Sequence, residues 1–77
     1  MYKLVTGFYP SANTAQKIVQ KVKGNCKSAK VEKYDGAFTV VISESDDYNT
    51  IDDDFSKYMK KKIYCGIITV KDNEWLN

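Results

Sequence analysis

Three groups of side chains carry the chemistry available to this sequence. They are a carboxylate run at Asp46, Asp47, Asp52, Asp53 and Asp54, an ammonium run at Lys60, Lys61 and Lys62, and tyrosines at Tyr9, Tyr34 and Tyr64 beside strand-like segments. The carboxylates lack the register of a calcium loop, which alternates oxygen ligands around a central glycine and ends on a glutamate. Nor is there an apolar surrounding to raise a carboxyl pKa for acid–base work. They read as charges of a solvated loop and helix start, or as an acidic contact patch. Lys60 to Lys62 read as the cationic end of a helix, with phosphate contact as the functional alternative. The chain has no histidine, and so lacks the commonest general base near neutral pH and the commonest transition-metal ligand. Cys26 and Cys65 are too few for a disulfide framework and read as small packing residues with free thiols. No glycine-rich phosphate loop, nucleophile motif or Cys/His metal spacing occurs. The expectation is a non-enzyme without cofactor or metal.

Periodicity assigns the elements that position these groups. Residues 2–9, YKLVTGFY, are aromatic and β-branched and alternate as a strand. Alternation puts Tyr2, Leu4, Thr6 and Phe8 on one face, and Lys3, Val5, Gly7 and Tyr9 on the other. Pro10 breaks the strand and Ser11 caps a helix with the stripe Ala15, Ile18, Val19 and Val22, which Gly24-Asn25 ends. A strand follows over 28–34. Asp35-Gly36 favours a type I′ hairpin, and the next strand is 37–43. An acidic loop over 44–54 runs into a helix with the stripe Ile51, Phe55, Tyr58 and Met59. Asp52 to Asp54 fall in its first turn and Lys60 to Lys62 in its last. The last strand spans 63–70, and 71–77 is a polar tail apart from Trp75 and Leu76.

The two halves repeat with an offset of 36 residues. Tyr2 matches Phe38, Leu4 matches Val40, Val5 matches Val41, Ala15 matches Ile51 and Val22 matches Tyr58. The order β-α-β-β-α-β, with short loops, predicts an α+β, ferredoxin-like sandwich over 1–77. Two helices cover one face of a four-stranded antiparallel sheet, with the first and third strands central. Cys26 and Cys65 then fall toward opposite edges. The face away from the helices receives Lys3, Val5, Tyr9, Lys30, Glu32, Tyr34, Thr39, Val41, Ser43, Tyr64, Ile68 and Val70. An uncovered face should be mostly polar. Here Val5, Val41, Ile68 and Val70 with three tyrosines form an apolar patch of a size that signals a partner. Trp75 and Leu76 folding back over it is the alternative, as is a shifted register of the last strand.

YKLVTGFY, the helix within SANTAQKIVQKVK, and KVEKYDGAFTVVIS followed by a second helix resemble the SPOR domain of bacterial cell-wall proteins. The resemblance spans nearly the whole chain and rests on Tyr2, Lys3, Gly7, the Ala15-to-Val22 stripe, Asp35-Gly36 and the Phe38-to-Ile42 repeat of the opening strand. It implies a ferredoxin-like fold without catalytic activity. It also implies binding of peptidoglycan glycan strands on the sheet face, through the positions of Val5, Tyr9, Tyr34, Val41 and Tyr64. Tyrosine rings suit sugars, offering an apolar face and a polar tip.

A net charge of +2 is too balanced to argue for nucleic acid. The three tyrosines could stack bases as RNA-binding sheets do, but the RNP consensus is absent. No apolar run is long enough to span a membrane. The expectation is therefore a binding module whose sheet residues Val5, Tyr9, Tyr34, Val41, Tyr64 and Ile68 hold a protein partner, a second copy as homodimer, or peptidoglycan glycan. A small phage-type or regulatory inhibitor acting by protein contact is the alternative. A full-length chain would be cytoplasmic, and one excised from a longer SPOR protein would belong to the cell envelope.

Overall fold

A computed structural model describes residues 1–34 and 36–69 and the backbone of 74–75. Its elements are β1 (Tyr2–Tyr9), α1 (Ala12–Val22), β2 (Lys30–Tyr34), β3 (Ala37–Ser45), α2 (Tyr48–Lys60), β4 (Gly66–Thr69) and β5 (Glu74–Trp75). The sheet order is β2-β3-β1-β4-β5, and every neighbouring pair is antiparallel. This is the expected α+β, ferredoxin-like βαββαβ arrangement, with β1 and β3 central. β5 departs from the reading of a polar tail: its backbone extends the sheet beyond β4, with Trp75 opposite Ile68. The expectations for Asp35, Val70, Leu76 and the Trp75 side chain lie outside the described residues.

The caps set the helix boundaries. Ser11 is extended, and its side chain accepts from the Thr14 amide at 3.2 Å. That leaves Ala15, Val19 and Val22 buried on one stripe. Asp47 caps α2, accepting from the Asn49 amide at 3.2 Å and the Thr50 hydroxyl at 2.9 Å. This cap lies earlier than expected, so β3 runs on to Ser45. Asp52 to Asp54 consequently fall beyond the first turn of α2, which holds no acidic residue. α2 ends in a Schellman motif: the Ile63 amide donates to the Tyr58 carbonyl at 3.0 Å and the Lys62 amide to the Met59 carbonyl at 2.9 Å. Lys62 occupies the left-handed position, φ 63°, and β4 begins only at Gly66 rather than at 63.

The 36-residue repeat holds in the packing. Leu4 and Val40, Ala15 and Ile51, and Val22 and Tyr58 all enter the core under the helices, with Ile42, Ile67 and Cys26. Val5 and Val41 both go to the opposite face with Ile68.

Simple alternation fails in β1 and β3, because their pairing shifts between Leu4 and Val5 and again between Val5 and Phe8. Each shift inserts a residue and redirects the side chains that follow. Tyr9 therefore pairs with Phe38 and packs against the helix-side core, not on the outer face. Phe8 pairs instead with Thr39, in the outer row. Gly7 accommodates the shift with φ +144°, and its carbonyl accepts from the Thr39 hydroxyl. Ser43, expected outside, donates to Asp54 Oδ2 of α2 at 2.5 Å and so lies on the helix side.

Candidate functional site

The six expected site residues separate into two groups. Val5, Val41 and Ile68 are 0, 2 and 0 % exposed and form one cluster, with Tyr34 partly buried against it. The expectation of an open apolar face does not hold at these three positions. Charged side chains of the same rows stand beside them. Lys3 lies opposite Ile68 and Lys30 opposite Val41. Lys3 Nζ donates to Glu32 at 2.6 Å and lies 3.7 Å from Glu44. Lys30 Nζ lies 3.3 Å from Glu32 and 3.5 Å from Glu44. The Tyr34 hydroxyl donates to Glu32 at 3.2 Å, and Lys3 Nζ stands 5.7 Å from the Tyr34 ring centre. Long side chains of this kind cover apolar surface with their stems and keep their heads paired or wet. Burial alone would raise the Glu32 carboxyl pKa and lower that of Lys3. Their mutual hydrogen bond, with those from Tyr34, outweighs burial and leaves Glu32 lowered and Lys3 raised.

Tyr9 and Tyr64 meet on the helix side. No Cα of α1 comes within 8 Å of one in α2. A cleft of about 510 Å³ lies there, lined by Thr6 and Tyr9 of β1, Lys21 from the end of α1, and Lys61, Lys62 and Tyr64 after α2. Tyr64 is 70 % exposed. Thr6 Oγ1 and the Tyr9 hydroxyl bond to each other at 2.8 Å. Among the described residues, no carboxylate lines the cleft. Among the described residues, no ion pair engages Lys21, Lys61 or Lys62. Lys61 Nζ lies 5.9 Å from the Tyr58 ring centre.

The sequence reading identified Lys61, Lys62 and both tyrosines but missed Lys21 and Thr6, and assigned the tyrosines to the wrong side. The available signal was Gly7, an isolated glycine inside a strand pattern, which marks a bulge.

The remaining reactive groups are engaged in the structure. Cys26 is buried and donates to the Ile42 carbonyl at 2.9 Å. The Tyr58 phenol is pushed up to about 12 by its hydrogen bond with Cys26 and by burial. Burial pushes the Cys65 thiol up to about 11, so it is protonated near neutral pH and a poor nucleophile. Both cysteines are free. No cluster of three metal-binding side chains occurs among the described residues, and no helix among them is long and apolar enough to cross a membrane. No protein-family description, curated protein or solved structure matches the chain.

Proposed function

We propose that this chain is a small non-catalytic binding module and that it holds an anionic group in the cleft between α1 and the segment after α2. One observation carries this reading: three lysines, Lys21 of α1 and Lys61 and Lys62 of the segment after α2, line one cleft beside an exposed tyrosine, and none of them is ion-paired among the described residues. Like charges brought together repel, and a bound anion relieves the repulsion. The two helix C-termini nearby contribute roughly half a negative charge each, which three lysines exceed. The cleft also falls within the size range of small-ligand sites, roughly 300–1,000 Å³. Elsewhere Glu32 and Glu44 engage lysines, Asp47 caps α2 and Asp54 accepts from Ser43.

The sheet face supports a glycan or protein ligand less well. Of the expected residues that stay on it, only Tyr34 is more than marginally accessible. A sugar stacked there would meet one ring beside an ion-pair network.

The test is an NMR titration at low salt with citrate as a small trianion. Amide shifts are expected at residues 21–25 and 61–64, shrinking as salt is added and lost in the Lys61→Glu/Lys62→Glu variant. Shifts confined to residues 30–34 and 41, or none at all, would overturn the reading.

A further inference from the structure

We infer that the anion taken by this cleft is a small phosphate monoester whose organic body carries a ring that lies against Tyr64. The inference rests on the anion-binding reading above and names its ligand class.

The charge chemistry favours phosphate over carboxylate. All 12 basic side chains of the chain are lysines. The forked guanidinium of arginine matches carboxylate and phosphate alike, whereas an ammonium acts as a compact point charge that answers to the ligand's total charge rather than its shape. Lys21, Lys61 and Lys62 together bring three positive charges. A phosphate monoester returns about −1.5 to −2 near neutral pH and offers three acceptor oxygens. The Thr6–Tyr9 hydroxyl pair adds a donor, because one of the two hydrogens satisfies the pair and the other is available to a ligand.

Lys62 supplies a separate argument. It holds φ 63° at the position after a helix end where glycine is the usual residue. A side chain there is strained, and among the described residues the Lys62 ammonium makes no ion pair. The fold would be served better by glycine, yet a cation stands at the cleft wall. Strain retained in this way is characteristic of ligand sites.

Tyr64 supplies the third argument. A tyrosine 70 % exposed at the cleft presents a ring face for stacking, as aromatic side chains do for bases. A cleft of about 510 Å³ is far larger than inorganic phosphate needs, so the ligand has a body as well as a charge.

The experiment compares inorganic phosphate, phenyl phosphate, adenosine monophosphate, citrate and a phosphotyrosine peptide, by calorimetry or NMR at low salt. Phenyl phosphate and adenosine monophosphate are expected to bind about tenfold tighter than inorganic phosphate, from stacking. Tyr64→Ala should erase that advantage and leave inorganic phosphate within about twofold of its wild-type affinity, since the ammonium groups that hold the charge are untouched. Phenyl phosphate should bind more tightly as pH rises through about 6, where the second proton leaves. Lys62→Gly should raise Tm while weakening phenyl phosphate severalfold. Equal affinity for inorganic and phenyl phosphate, citrate binding as tightly as phenyl phosphate, or unchanged binding in Lys62→Gly would each overturn the inference. Citrate binding without a phosphate preference sinks this inference and leaves the anion-binding module intact. Failure of citrate and every phosphate sinks both. A phosphotyrosine peptide binding about tenfold tighter than phenyl phosphate, or about 1.4 kcal/mol, would overturn the small ligand in favour of a protein partner.

Discussion

Gly7 governs where the aromatic residues of β1 go. Its φ of +144° lies where side chains are rarely tolerated, and it coincides with the pairing shift that turns Tyr9 toward the helices. A Cβ there would meet the Tyr9 hydroxyl at 3.6 Å, ordinary contact, so backbone strain is the obstacle to substitution. Gly7→Ala is expected to cost about 1–3 kcal/mol, read as a lower urea midpoint, and to disturb the Tyr9 ring resonances. The bulge was legible as a glycine in a strand pattern. The side it sent Tyr9 to was not, because alternation carries no information past an inserted residue. Tyr58 shows a different control. Its folded pKa is raised to about 12 from 10.0, first by the Cys26 hydrogen bond and then by burial. A proton held more tightly in the folded state gives stability that is complete below pH 10 and lost as pH rises toward 12. Tyr58→Phe is expected to make the alkaline limb of the urea midpoint against pH shallower.

At the scale of elements, the outer sheet face depends on charges that bridge three strands. Lys3 of β1, Glu44 of β3, and Lys30 and Glu32 of β2 form one network. Burial is the largest single influence on Glu32 and opposes its charge, but the hydrogen bonds from Lys3, Lys30 and Tyr34 and the Lys3 charge together outweigh it and lower the carboxyl below 4.5. A carboxyl lowered on folding contributes stability that is present above its unfolded pKa and lost as pH falls through the folded one. Stability should therefore fall through this group as pH drops below the ordinary glutamate range. Glu32→Gln should flatten that limb. Val5, Val41 and Ile68 were correctly assigned to the outer face, but which neighbours cover them depends on the register of four strands. Element identity followed from periodicity. Boundaries moved where capping decided them, at Asp47 and in the turn through Lys62.

At the scale of the molecule, the repeat was the most informative part of the sequence, since matched positions share a depth: Ala15 and Ile51 are both 0 % exposed. The cleft was far less legible, because it draws on β1, α1 and the segment after α2, and only the three-dimensional arrangement brings these together. The sheet order places β3 between β1 and β2, and β1 between β3 and β4. The two strands of each repeat are therefore never neighbours, and each half is completed by a strand of the other. Peptides 1–36 and 37–77 are expected to show little ordered circular dichroism alone and to regain it when mixed, because β1 cannot pair with β2 nor β3 with β4, and only the short β4–β5 ladder lies within one peptide. Independent folding of either peptide would contradict this. A free-standing copy of the repeated unit would thus need a second copy to close a sheet. The chain amounts to such a pair joined in tandem, and the short hairpin at Gly36 is the tether between the two protomers.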